Sequence, residues 1–91
     1  MITAFVLLTI APGRVKPLAE KLLDVPGVAE VYSVAGPFDL IAVVRVKRHE
    51  DLADLVTTHV AGLDGIVRTE TLIAFRAYSK RDLDAMWDLG N

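Results

Sequence analysis

Ninety-one residues hold one domain and no second core, and without a single cysteine neither a disulfide nor a thiolate-bound metal can staple it. Ten Lys and Arg against twelve Asp and Glu give a net charge of −2 with the signs interspersed, so the basic stripe of a nucleic-acid binder is missing. The apolar fraction of 53% is above the usual range, yet a domain this small buries only roughly 60–65% of its unfolded surface. That surplus points to self-association.

Residues 2–10 form a Leu-rich, β-branched run with Thr3 and Thr9 inside it, stopped by Ala11-Pro12-Gly13. This reads as a buried strand. Over residues 14–24, Val15, Leu18, Ala19, Leu22 and Leu23 recur at helical spacing, with Lys16, Glu20 and Lys21 on the wet side. Pro26-Gly27 ends that helix, and a Val- and Tyr-rich strand follows over 28–35. Gly36-Pro37-Phe38-Asp39 is a turn by composition, so the third strand, over 40–47, makes a hairpin with the second. His49-Glu50-Asp51 sets acids at a helix start, where they suit the dipole. Leu52, Leu55, Val56 and Val60 mark the buried stripe of a second helix, and Gly62 and Gly65 close it. Residues 66–75 form the last strand.

The order βαββαβ, with two right-handed crossovers and one hairpin, predicts an α+β, ferredoxin-like domain. Its four-stranded antiparallel sheet has the order 4-1-3-2, with both helices on one face. The domain spans 1–76. In the tail, 77–91, Ser79 and Asp82 match a capping box for a short helix carrying Leu83, Met86 and Trp87.

Both central strands are apolar on both sides. Ile2, Ala4, Val6, Leu8 and Ile10 share one face of the first strand, and Phe5 and Leu7 the other. In the third strand Leu40, Ala42, Val44 and Val46 oppose Ile41 and Val43. Two helices cover one face, which leaves Phe5, Leu7, Ile41 and Val43, or their counterparts on the opposite face, for a partner. Their burial is worth at most about 6–12 kcal/mol per protomer, enough to offset association at ~4–15 kcal/mol. A homo-oligomer of the dimeric α+β barrel type is the expectation.

Chemistry-bearing patterns are few. With two His and no Cys there is no nucleophile triad to assemble, and HxxxH and CxxC spacings are absent. No catalytic residue, metal or cofactor is implied. The cluster of His49, Glu50, Asp51 and Asp54 is explained by a solvated helix start. Gly13-Arg14 sits where an anion could meet a helix N-terminus, but the turn lacks the glycine-rich continuation of a phosphate cradle. Phe5 is the only aromatic on the central strands, too few for an RNA-stacking sheet. No apolar run approaches the ~18–20 residues of a membrane helix, and Met1-Ile2-Thr3-Ala4 lacks the basic region of a signal peptide. Cytoplasmic residence is therefore expected.

Three stretches are specific in combination: Pro26-Gly27-Val28, Gly36-Pro37-Phe38-Asp39, and Gly65-Ile66 followed by Thr69-Glu70-Thr71. In their order and spacing the chain resembles the effector-binding (RAM) domain of the Lrp/AsnC family of feast/famine regulators, from about residue 2 to 75. Met1 leads straight into the first strand, so a stand-alone form without the helix-turn-helix is expected. The resemblance implies sheet-to-sheet dimers, rings of dimers, and a small effector, commonly an amino acid, bound between dimers. Carried over, Gly36, Phe38 and Asp39 border that cleft and Thr69 and Thr71 lie beside it. Backbone N–H groups suit a carboxylate, Asp39 an ammonium, and the hydroxyls either. The family's turn usually has Tyr where this chain has Phe38, and Pro37 removes a donor.

The resulting expectation is a regulatory module, not an enzyme, that modulates transcription through a full-length family partner or acts as a free-standing sensor. It would contact neither nucleic acid nor membrane. Two alternatives share the fold: a small cofactor-free monooxygenase, disfavoured by the Val, Ile, Leu and Ala lining of the sheet, and an ACT-like amino-acid-binding module, suggested by Pro12-Gly13.

Overall fold

Every second residue of β1 (Ile2–Ile10) is driven out of water: Ala4, Val6 and Leu8 are fully buried and Ile10 nearly so. In the computed structural model, which describes residues 1–80, β1 runs antiparallel to β3 (Leu40–Val46), with Leu8 opposite Leu40 and Phe5 opposite Val43. Directly paired residues share a face, so Leu40, Ala42, Val44 and Val46 join the same core. β2 (Val28–Ser33) flanks β3 and β4 (Ile66–Ile73) flanks β1, giving the order β2-β3-β1-β4. This is the ferredoxin-like arrangement expected from the element order.

α1 (Val15–Leu23) and α2 (His49–Asp54) both lie on the core side, contributing Leu18, Leu22 and Leu52 to one cluster. Pro17 is tolerated because it falls in the first turn of α1, where its missing N–H has no intrahelical partner to lose. Leu23 departs from its expected place in the apolar stripe and is 54% exposed. It follows Leu22 by about 100° round the axis, and the helix ends before another turn covers it.

The second helix also differs from the expectation of one regular α-helix. After Asp54 it widens into a π-helical turn, Leu55–Val60, still burying Leu55 and Val60. The Thr57 hydroxyl donates to the Ala53 carbonyl at 2.7 Å, the acceptor that the Thr57 backbone N–H would use in a regular α-helix. The Ala61 N–H then reaches back five residues to the Val56 carbonyl at 3.1 Å. β1 has its expected bounds, β2, β3 and β4 end one or two residues earlier than expected, and the anticipated helix with Leu83, Met86 and Trp87 lies outside the described residues.

The far side of the sheet is open. Phe5, Leu72 and Tyr32 are 37%, 54% and 50% exposed there, and Leu7 and Ile41 are half-buried. Val43 corrects the expected list. It is only 7% exposed within the single chain, because this short side chain stands between Phe5 on one neighbouring strand and Glu30 and Tyr32 on the other. The apolar area left for a partner is thus shifted outward, toward Leu72 and Tyr32.

Gly27 joins the helical layer to the sheet at a left-handed φ of 98°, and a Cβ there would stand 2.9 Å from Val46 Cγ1 and 3.1 Å from Leu55 Cδ1. Gly27→Ala therefore adds both backbone strain and overpacking. The expected loss is about 2–4 kcal/mol, read as a lower urea midpoint at unchanged slope.

Candidate ligand-binding site

The hairpin between β2 and β3 closes with a backbone bond from the Val34 N–H to the Asp39 carbonyl at 3.1 Å. Gly36 supplies the sharp reversal at a φ of 132°, and its surroundings are open, with no atom within 4 Å of where a Cβ would be. Phe38 and Asp39 are half-buried. Asp39 grips β1 twice: its N–H donates to the Leu8 carbonyl at 2.8 Å, and its Oδ2 accepts the Ile10 N–H at 2.7 Å. The carboxylate thus stands in for a backbone carbonyl where β3 turns away, and extends the ladder by one bond. One oxygen of the residue expected to meet an effector's ammonium is already engaged in holding the turn.

Thr69 pairs with Leu8 and Thr71 with Val6. Since Leu8 and Val6 point into the helical layer, both threonines face that side of the edge strand, while Arg68, Glu70 and Leu72 alternate onto the open face. Leu40, Leu8 and Thr69 stand in one row across three strands, so Thr69 lies about 10 Å from the turn. The two threonines are exposed. Thr71 lines an apolar groove of about 290 Å³ with Ile73, His49, Leu52, Ala53, Val56 and Thr57. The turn and Thr69 therefore share one end of the sheet, and Thr71 lies further along β4.

Two features here were not legible in the sequence. Arg14 folds over Gly65; its Nη2 reaches the Asp64 carbonyl at 3.5 Å and its Nε is buried without a hydrogen-bond partner. It thereby joins the first and last loops at the end of the sheet that also holds the turn, where the Ala11 N–H meets the Gly65 carbonyl at 2.8 Å. A second cavity, about 300 Å³, is lined by Lys47, Asp51, Asp54 and His59 beside Gly27. His59 is an exposed residue of this rim, which also includes the core residues Val46 and Leu55. The acids of the α2 start are held by Arg48, which pairs with Glu50 at 3.3 Å and Asp51 at 3.2 Å. No group of three or more metal-ligating side chains occurs among the described residues, and no described helix is long and apolar enough to cross a membrane.

On the open face the Tyr32 hydroxyl donates to the Glu30 carboxylate, which raises the phenol's pKa above its ordinary value, the nearby negative charge adding to the effect. Arg45 approaches the same carboxylate at 3.8 Å, and Arg68 reaches Glu70 at 3.6 Å. These pairs flank the apolar centre of the face.

Asp39→Ala leaves the half-buried Ile10 N–H unpaired and costs about 1–3 kcal/mol, measured by urea denaturation. Asp39→Asn keeps an acceptor and retains most of that stability. A loss of ligand response in the alanine variant would therefore need this stability control.

Residues 3–83 match the family model described as the Lrp/AsnC ligand binding domain. The HTH-type transcriptional regulator FL11 of Pyrococcus furiosus is 29% identical over 79 residues, 87% of this chain and 52% of that protein. The chain spans about half the length of the curated relatives it matches. A crystal structure of a Thermus thermophilus protein superposes with a TM-score of 0.83 at 55% identity, covering 88% of this chain and 100% of that one. A feast or famine regulatory protein from M. tuberculosis, complexed with L-methionine, superposes with a TM-score of 0.71 at 28% identity over 89% of this chain and 55% of that one. With the family model matched over residues 3–83, most of its length, the chain belongs to the Lrp/AsnC ligand-binding domain family.

Proposed function

We propose that this domain senses an amino acid or a similar small metabolite in a cleft between protomers, and that the binding event regulates transcription. The regulatory half of the reading rests on family membership and on relatives named as transcriptional regulators, not as enzymes. The L-methionine complex of the M. tuberculosis relative supports the effector class.

The observation that carries the cleft is a division of surfaces. The apolar open face presents Phe5, Tyr32 and Leu72, whereas the 36–39 turn lies at the end of the sheet and Thr69 and Thr71 on its other side. A homodimer built face to face buries the first surface and leaves the second free for an effector and a neighbouring dimer. Gly36, Phe38, Asp39, Thr69 and Thr71 are the proposed contacts. Backbone donors of the open turn suit a carboxylate, and the free lone pairs of Asp39 and the threonine hydroxyls suit an ammonium. The domain works on its own or by mixed assembly with a full-length regulator; the Thermus chain, covered from end to end, supports the first mode.

Thermal-shift screening against the twenty amino acids tests the effector class. A ligand at a hundred times its Kd adds about 2.7 kcal/mol, and a domain of this size gains roughly 4–8 °C per kcal/mol. Thr69→Val and Thr71→Val preserve strand shape and are expected to shrink the response; silence from all twenty amino acids overturns the amino-acid effector. Light scattering at micromolar concentration is expected to give a dimer or a multiple of it, and a monomer there overturns the open-face association.

A further inference from the structure

We propose that residues 74–80 form an arm that docks on a second copy of this chain, where Phe75 enters the cavity beside the partner's Phe5 and Arg45. The inference rests on the open-face dimer proposed above and names the contact that completes it. The Ala74 N–H donates to the Thr3 carbonyl at 2.9 Å, and beyond this bond the chain leaves the sheet. Phe75 is fully exposed, at 102%, and Tyr78 is 77% exposed. Among the described residues, two successive aromatics of the arm therefore find no cover on their own protomer, on the side where the sheet is itself uncovered.

A matching hole lies next to them. Residues 74–77 form one wall of a cavity of about 360 Å³ whose floor is Thr3, Phe5 and Arg45, all on the open face. Each protomer thus carries a projecting ring and a receiving cavity on one surface, and a single two-fold axis satisfies both at once. The reach is sufficient: six residues, 75–80, extend up to about 20 Å, while three strand spacings span about 14 Å. The contribution is also of the right size. A Phe and a Tyr bury about 150–250 Å² each, a large part of the ~800 Å² per partner that a stable interface requires.

The cavity chemistry suits an aromatic ring. Phe5 offers an aromatic neighbour. Arg45, held to Glu30 only at 3.8 Å, offers a guanidinium to the ring face.

The absence of cysteine makes the test clean, because Phe5→Cys and Phe75→Cys introduce the only thiols. An equimolar mixture of the two variants, oxidised at micromolar concentration, is expected to give a chain-to-chain disulfide joining positions 5 and 75, identified by peptide mass spectrometry. Phe75→Ala is expected to weaken the dimer at least tenfold on dilution in light scattering, with the far-ultraviolet dichroism of the fold retained. If the chain is dimeric but no 5–75 link forms, or if a Phe5→Cys/Phe75→Cys double variant closes the link within one chain, the arm proposal is overturned and the open-face dimer stands. A monomer overturns both.

Discussion

Two short helices lie on one face of a sheet whose central strands carry apolar side chains on both faces, and the pleat allows no escape from that imbalance. Turning Phe5 inward would turn Val6 outward, since neighbouring side chains alternate. The helical side is satisfied: Val6, Leu8, Leu18, Leu22, Leu40 and Val44 have no exposed surface. The other side is satisfied only at Val43, between its bulkier cross-strand neighbours. Around it, half-exposed Tyr32 and Leu72 widen the apolar surface toward the sheet edges, where Arg45 with Glu30 and Arg68 with Glu70 flank it. Exposed pairs of this kind contribute about 0–1 kcal/mol each. In the proposed dimer their charges bear on which surface fits against which, and the burial of the apolar centre supplies the energy.

The same imbalance separates the surfaces available for function. In the proposed face-to-face dimer, recognition of a small molecule falls to the ends and edges of the sheet. Asp39 shows how such an end is built. Its backbone and its carboxylate hold Leu8 and Ile10 in place, so the turn is a stiff extension of the sheet and its free N–H groups have a defined direction. Arg14 secures the neighbouring loops by lying over Gly65. A rigid end is suited to reading a small charged molecule, because little ordering entropy is then lost on binding. β4 is the less supported part of this region: it pairs with β1 alone, and its Thr71 and Ile73 meet α2 across an open groove.

Much of this was legible along the chain. The period-two alternation of residues 2–10 and 40–46 assigned every core position of the two central strands correctly. The Pro-Gly and Gly-Pro punctuation placed the turns, and the family resemblance in the 26–28, 36–39 and 65–71 stretches agrees with the family match over 3–83. Where expectation and structure parted, a local feature lay outside simple periodicity. The Thr57 hydroxyl widened a helix that its apolar spacing described as regular, Leu23 was stranded by the end of α1, and Val43 was sheltered by neighbours on other strands.

By itself, then, the sequence determined the element order, the inner face of each central strand, the surplus of apolar surface and the family, since each depends on residue type and short spacing. Tertiary structure alone decided that Asp39 bonds a residue 29 positions away, that Arg14 lies over a loop about 50 positions along the chain, and that Thr69 and Thr71 turn away from the open face. Those contacts depend on strand register and on which loops meet at one end of the sheet. Pairing across strands sets both, and no periodicity within a single strand records it.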